Sequence, residues 1–145
     1  VGRSESRLRR THRWEASGSM NAWEALGLAG LGGSAGALLR YGTGKWAAAL
    51  KAKPYAATLT VNLTGSLLIG VLAGMEWKAR QPELYALLGP GAMGGLTTYS
   101  TLNVQKATMR AEKRYATLAK YAAATYLGGW LAFAIGFGIG KAAKG

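Results

Sequence analysis

The chain has 145 residues, enough for one domain, and half of them are hydrophobic. It contains no cysteine, which excludes a disulfide framework and a thiolate metal site. A formal charge of +12 would suggest nucleic acid as the partner of a soluble protein, but the Lys and Arg residues cluster between long uncharged apolar runs. That arrangement is typical of membrane proteins, so we expect contact with membrane lipid and not with nucleic acid.

The chain is predicted to be an all-α membrane protein with a basic tail. Residues 1–20 are polar and basic and lack the apolar segment of a signal peptide, so we expect a disordered tail. Residues 21–145 are expected to form one unit of four transmembrane helices. The first apolar segment runs from Trp23 to Leu39, and its small-residue spacing is typical of close helix contact in lipid, at Gly32, Gly33 and Gly36.

Glu24 lies near the start of that first segment. An ionisable residue deep in a span is a functional candidate. The alternative, which we favour, is that Glu24 caps the helix at the interface while Arg40 extends to the opposite interface.

The second predicted span carries one polar residue that is costly in lipid. A basic loop, Tyr41 to Tyr55, precedes the uncharged segment Ala56 to Met75, which is long enough to cross a bilayer. Asn62 lies within it, and a carboxamide in hydrocarbon needs partners for its donors and its acceptor. Asn62 is therefore expected to face another helix or a cavity.

The third apolar segment, Leu87 to Gln105, is the least regular. It combines Pro90 and four glycines with five consecutive hydroxyl side chains, Thr97, Thr98, Tyr99, Ser100 and Thr101. Non-helical backbone at membrane depth survives only when it is buried in protein or lines a wet cavity. We expect either a broken helix whose freed carbonyls and hydroxyls bind something small, or a glycine-rich helix packed closely on a neighbour.

The last part of the chain predicts an amphipathic basic piece, Lys106 to Lys113, and a fourth span, Tyr115 to Gly140. Counted over the full chain, the cationic residues divide evenly between the two sides of the membrane. If the residues before Met20 are excluded, the same rule places the termini outside.

Enzyme chemistry is not expected from these residues. The spans contain no carboxylate pair, the single histidine, His12, lies in the tail, and no phosphate-binding lysine follows the glycines. Ser100 has no histidine to activate it. A path lined by hydroxyls, an amide and ring edges instead suits a small ion, and four short spans favour an oligomer.

Three motifs in order resemble the signatures of the CrcB or Fluc family of fluoride channels. They are GGSAGALLRY (Gly32 to Tyr41), TLTVNLTGS (Thr58 to Ser66) and GGLTTYSTLNVQ (Gly94 to Gln105). The four-span layout also matches, and the resemblance covers roughly Leu26 to Gly140.

The resemblance implies an antiparallel, dual-topology dimer in the cell inner (plasma) membrane that lets fluoride leave passively. It implies a central structural sodium ion held by the backbone carbonyls of Gly94 and Thr97, with Arg40 as the motif arginine near the vestibule. The implied anion pathway consists of Asn62, Thr98, Tyr99, Ser100, Thr101 and Leu102.

Several pore positions depart from the family pattern. The two pore phenylalanines fall on Tyr99 and Leu102, and the acidic residue that usually follows is Gln105. The hydroxyl positions of the fourth span fall on Gly129 and Phe133. The preferred hypothesis is therefore one subunit of a heterodimeric fluoride channel whose second four-span subunit supplies the missing groups.

Two alternatives remain open. One is a homodimer with an altered pathway for fluoride or another small ion. The other is a proton-coupled small multidrug exporter, which would need Glu24 deep in a shared pocket.

Overall fold

The structure, a computed structural model, describes residues 20–144 and is all-helical in that range. Its elements are α1 (Ala22–Ala49), α2 (Pro54–Gly74), α3 (Trp77–Arg80), α4 (Pro82–Ala86), a π-helical segment (Leu87–Met93), α5 (Gly94–Leu96), α6 (Ser100–Ala111) and α7 (Tyr115–Lys144). The all-α prediction is confirmed for the described range. The predicted tail, residues 1–20, lies outside that range except for Met20.

The first helix, α1, begins at a capping box. The Asn21 Oδ1 accepts from the Glu24 backbone N–H at 2.8 Å, and a Glu24 carboxylate oxygen accepts from the Asn21 N–H at 3.1 Å. This pairing satisfies two of the backbone donors that a helix start leaves free.

At its other end α1 continues to Ala49, beyond the expected end at Leu39. The expected loop from Tyr41 to Tyr55 was therefore wrong in extent, because only residues 50–53 separate α1 from α2. Isolated glycines cost a helix only about 1 kcal/mol each, and the alanines that follow them favour helix.

After α1 and α2, the third part of the fold is a series of short helical pieces from Pro82 to Ala111, here called the third layer. The π-helical segment contains Pro90, which has no N–H for an i→i−4 bond and so accommodates a wider helical turn. After α5 the backbone of Thr97 becomes extended (φ −76°, ψ 156°), and helix resumes at Ser100. The third apolar segment is thus interrupted at residues 97–99, after the glycine pair and not within it.

Helices touch through glycine backbones. A Cβ at Gly36 of α1 would overlap the Ala92 carbonyl oxygen of the π-helical segment, and a Cβ at Gly136 of α7 would overlap the Leu67 carbonyl oxygen of α2. Small residues permit this close approach between helices in lipid, where the hydrophobic effect does not drive helix association. The glycine spacing seen in the sequence therefore marks real helix contacts.

The outer surface of this single chain is strongly apolar. Trp130 is 70 % exposed, and Leu127, Leu131, Ile135 and Ile139 on the same helix are also exposed. Two helices, α2 and α7, are long and apolar enough to cross a membrane by length and composition. Exposed apolar surface of this extent is suited to lipid or to a partner chain.

Candidate functional site

Asn62 of α2 holds the interruption of the third layer. Its Oδ1 accepts from the Thr98 backbone N–H at 2.8 Å, and its Nδ2 donates to the Thr98 carbonyl oxygen at 3.1 Å. The side-chain amide thereby replaces the helical partners that Thr98 has lost. Asn62 faces another element of the chain, as its chemistry in a span requires.

The interruption changes the bonding of two backbone carbonyls, those of Gly94 and Thr97. The Thr98 N–H donates to Asn62, so it does not complete the i→i−4 bond to the Gly94 carbonyl. The Thr97 carbonyl accepts from Arg40 Nη1 at 3.3 Å. Gly94 is exposed, and a Cβ there would meet nothing within 4 Å, so this side of the interruption is open.

A cluster of hydroxyl groups follows the interruption. The Thr98 hydroxyl donates to the Thr101 Oγ1 at 3.1 Å and lies 3.4 Å from the Ser100 Oγ. It also accepts from the Thr101 backbone N–H at 3.3 Å, which gives a partner to one of the N–H groups left free in the first turn of α6. Thr98 is buried, whereas Ser100 and Thr101 are exposed on this chain.

Tyr99 and Leu102, which the resemblance aligns with pore phenylalanines, lie in different surroundings. Tyr99 is 68 % exposed on this chain, while Leu102 is 2 % exposed and packs with Met109 and Tyr121. Tyr99 is therefore accessible from outside the chain, whereas Leu102 is part of its core.

Thr98 borders two cavities. One, here called the Asn62 groove, has a volume of about 400 Å³ and lies between α2, the third layer and α7. The other, the Arg40 cavity, has a volume of about 260 Å³ and lies between α1, α2 and α6. Arg40 brings a positive charge to the second cavity, whose lining is otherwise mostly apolar apart from side chains such as those of Thr58 and Thr101.

The sequence interpretation missed a buried polar chain that joins α2, α6 and α7. The Tyr121 hydroxyl donates to the Gln105 Oε1 at 2.6 Å, and the Gln105 Nε2 donates to the Thr58 hydroxyl at 3.0 Å. Thr58 and Tyr121 are 6 % and 3 % exposed. Gln105 had been noted only as a replaced acid, and the pairing of residues on three helices has no signal in a single sequence.

The fourth-span residues at the groove also differ from those expected. The groove is lined on α7 by Thr125 and Tyr126, whereas Phe133 stacks on Phe137 at a centroid distance of 6.3 Å. Thr125 donates its hydroxyl to the Tyr121 carbonyl of its own helix at 2.8 Å. A threonine within an otherwise apolar span was the available signal.

Glu24 does not enter either cavity. It is exposed at the start of α1, and its carboxylate is engaged in the capping box described above. This position matches the capping interpretation and removes the deep carboxylate that the exporter hypothesis required.

Comparisons with known proteins agree with this architecture. The family described as CrcB-like protein, Camphor Resistance (CrcB), matches residues 27–137. A relative from Lactobacillus johnsonii, "Fluoride-specific ion channel FluC 2", is 39% identical over 77% of this chain and 92% of its own length. "Fluoride-specific ion channel FluC 1" from Geobacillus kaustophilus is 42% identical over 77% of this chain and 93% of its own length.

Another relative of the same name comes from Listeria innocua and is 39% identical over 78% of this chain and 94% of its own length. The match spans both cavities and the interruption between them. The chain therefore belongs to the CrcB family and is an integral membrane protein.

Proposed function

We propose that this chain is a subunit of a fluoride-selective channel that allows passive fluoride efflux across the inner (plasma) membrane. The observation that carries the proposal is the interruption at Thr97–Tyr99, held by the Oδ1 and Nδ2 atoms of the Asn62 side chain. An interruption of this kind is stable in a span only where the freed backbone is bound by protein or lines a wet path. The relatives named above as fluoride-specific channels support the choice of ion.

Fluoride is small and strongly hydrated, so a pathway must replace its water with hydrogen-bond donors. Hydroxyls can supply such donors at the interruption, and Ser100 and Thr101 are exposed beside the buried Thr98. Tyr99 adds an exposed ring whose edge carries positive potential. Passive conduction needs no group that carries out a reaction, and we propose no enzymatic activity.

A single chain leaves this pathway incomplete. Tyr99, Ser100 and Gly94 are all exposed on the open side of the interruption, and the surrounding surface is apolar. An antiparallel second four-span subunit seated on that side would enclose the hydroxyls between two interruptions. We propose that the partner is a non-identical subunit, because Leu102, which packs in the core beside the Asn62 groove, has no ring edge to offer to the path.

The interruption also suits a structural sodium ion at the dimer interface. Gly94 and Thr97 would hold it through backbone carbonyls, which are the neutral oxygen ligands that hard cations prefer. The Gly94 carbonyl lacks its helical donor, and the Thr97 carbonyl has a second lone pair beside its bond from Arg40. One chain offers only part of a coordination shell. When bound, sodium would therefore be coordinated by carbonyl oxygens of both subunits and would join them.

Reconstitution tests the pairing. The chain alone in liposomes is expected to release little fluoride, and co-reconstitution with a four-span subunit that carries the Thr-Thr-Phe-Ser-Thr-Phe pattern is expected to restore release. Rapid efflux from the chain alone would instead support the second candidate, a homodimer with an altered pathway. That candidate is kept because Tyr99 retains an aromatic ring that a second copy could use.

A further inference from the structure

Lys106 of α6 binds a tyrosine and no carboxylate. Its Nζ donates to the Tyr126 hydroxyl oxygen at 2.8 Å and lies 5.2 Å from the centre of that ring. Within residues 20–144 the ion pairs are Arg114–Glu112 and Lys144–Glu76, so no described carboxylate neutralises Lys106. The positive charge of Lys106 is therefore available to an anion.

The ammonium group of Lys106 points away from the α6–α7 turn. The neighbouring Gln105 bonds Tyr121, whereas Lys106 bonds Tyr126, which lies about 7.5 Å farther from the turn at the helical rise of about 1.5 Å per residue. A lysine near a helix end ordinarily extends toward the headgroups. Lys106 does the opposite, and a cation directed into a span marks a functional position.

Tyr126 connects Lys106 to the edge of the Asn62 groove. Tyr126 lines the groove from α7, and Leu102 lines it from α6. Lys106 follows Leu102 by one helical turn, so the two residues lie on the same face of α6. Lys106 itself does not line the groove, and it reaches the edge of the groove through its bond to Tyr126, which is 51 % exposed.

The geometry of the hydrogen bond leaves donors for a ligand. The Tyr126 oxygen accepts from Lys106, so the hydroxyl proton of Tyr126 is free to donate in turn. The ammonium group has three donors and uses one on Tyr126. A cation that binds the hydroxyl oxygen polarises the O–H bond, and hydrogen bonds assisted by charge are the stronger ones.

We propose that Lys106 and Tyr126 form an anion-binding site at the α6 end of the Asn62 groove. The ligand is a small, strongly hydrated monovalent anion that receives one hydrogen bond from each side chain. That the anion is fluoride rests on the proposed function. The pair thereby sets the fluoride concentration at which the pathway fills, and it does so without touching the hydroxyl cluster at Thr98.

Binding of fluoride can be measured on the purified full chain without any flux. Sodium fluoride is titrated into the protein in a neutral detergent, and the width of the fluoride ¹⁹F resonance is followed. We expect saturable broadening for the unaltered chain and a roughly tenfold weaker affinity for Lys106→Gln and Tyr126→Phe, the loss expected for one charge-assisted hydrogen bond. Lys106→Arg keeps the charge and is expected to retain most of the affinity.

Lys120→Gln is the matched control, because it removes one exposed positive charge from the same end of the molecule. Helix content and elution volume show that each variant is folded. The proposal is overturned if the unaltered chain shows no saturable broadening, or if Lys106→Gln and Lys120→Gln weaken binding equally. A failure of the channel proposal is seen separately, as absent flux in liposomes with intact binding.

A phospholipid headgroup could present similar anion chemistry to Lys106. The titration is therefore repeated in nanodiscs of phosphatidylcholine alone and of phosphatidylcholine with phosphatidylglycerol. Equal broadening in both supports a site for a free anion. Loss of the signal only with the anionic lipid would show that a lipid phosphate occupies the pair, and would contradict the proposal.

Discussion

The side-chain amide of Asn62 binds the backbone of Thr98 twice, donating from Nδ2 to the Thr98 carbonyl oxygen and accepting at Oδ1 from the Thr98 N–H. The side chain thus acts as a substitute for helix backbone at the point where the third layer is interrupted. Because Thr98 also borders the Asn62 groove and the Arg40 cavity, the same bond pair fixes the wall between them.

Replacement of Asn62 by Asp is expected to impair both folding and fluoride passage. The Nδ2 donor is lost and a carboxylate oxygen faces the Thr98 carbonyl, which destabilises the protein by ~1–3 kcal/mol. The new negative charge also repels an anion beside the path. Thermal unfolding in detergent and fluoride efflux from liposomes with the partner measure the two effects.

Thr60→Ala is the control for Asn62→Asp, because Thr60 is exposed on α2 and its hydroxyl donates only to the Ala56 carbonyl of its own helix. It is expected to change neither quantity appreciably. Flux equal to the unaltered channel in Asn62→Asp would remove Asn62 from the pathway.

Because α1 packs closely on the π-helical segment, we expect the effect of a Gly→Ala substitution in α1 on stability to depend strongly on its position. A Cβ at Gly36 meets the backbone of Ala92 and Leu96, which cannot move aside as a side chain could. Gly36→Ala is expected to destabilise the protein by ~1–3 kcal/mol. The midpoint of thermal unfolding measures this change.

Gly42→Ala, in the same helix, provides a matched comparison. A Cβ there meets nothing within 4 Å, and the substitution is expected to add up to ~1 kcal/mol of helix stability. If both variants shift the midpoint in the same direction, the described packing of α1 is wrong.

Restoring the family phenylalanine at position 102 is not expected to restore conduction by this chain alone. Leu102 is 2 % exposed and packed with Met109 and Tyr121, so Leu102→Phe overpacks the core at a cost of ~1–3 kcal/mol. Tyr99→Phe, at a side chain that is 68 % exposed, is expected to leave stability unchanged. Unfolding midpoints and efflux from single-chain liposomes distinguish these outcomes, and strong efflux from Leu102→Phe alone would show that position 102 faces the path and is not closed off in the core.

The pairing of Glu76 with Lys144 predicts a pH dependence of stability. The hydrogen bond and charge of Lys144, at 2.5 Å, lower the pKa of Glu76 below its usual value of 4.5. The folded state therefore favours the ionised carboxylate, and the stabilisation is present above pH 4.5 and lost as the pH falls through the lowered pKa.

Glu76→Gln should accordingly lower the unfolding midpoint at pH 7 by a small amount, and the difference should shrink as the pH falls below 4.5. Glu83→Gln is the comparison variant, because Glu83 is exposed and takes part in neither of the described ion pairs. A constant difference between Glu76→Gln and the unaltered chain from pH 7 to pH 3 would show that the ion pair is not formed in solution.

Removal of sodium is expected to weaken the dimer if Gly94 and Thr97 hold the ion. Replacing sodium by N-methyl-D-glucamine leaves the carbonyls without a cation, while ionic strength stays constant. Dimer stability is measured as the fraction of cross-linked dimer that remains when the protein is progressively diluted into detergent. Equal dimer stability in both buffers would exclude a structural role for sodium.

The sequence predicted the helical class, the approximate position of the interruption and the glycine contacts, because each depends on local chemistry. Glycine spacing, an uncharged run and an amide in a span leave direct signals at Gly32, Gly36 and Asn62. The continuation of α1 to Ala49 was missed because the basic segment from Tyr41 to Tyr55 was interpreted as a loop, although its alanines favour helix.

The remaining features depend on residues that are distant in sequence. The chain from Thr58 through Gln105 to Tyr121 and the pairing of Lys106 with Tyr126 need the relative rotation of three helices, which side-chain periodicity does not supply. The same holds for Leu102, whose burial follows from the packing of α6 on α7. Family patterns assign a position to such residues but do not give their surroundings.

Fluoride efflux from liposomes loaded with equal fluoride and chloride, recorded with ion-selective electrodes, separates a fluoride-selective channel from every other function considered. With this chain and a partner that carries both phenylalanines, we expect rapid release of fluoride, retention of chloride, and loss of fluoride release on Asn62→Asp. Equal release of both anions, or no fluoride release from any pairing of folded subunits, would show that the chain is not a subunit of a fluoride-selective channel.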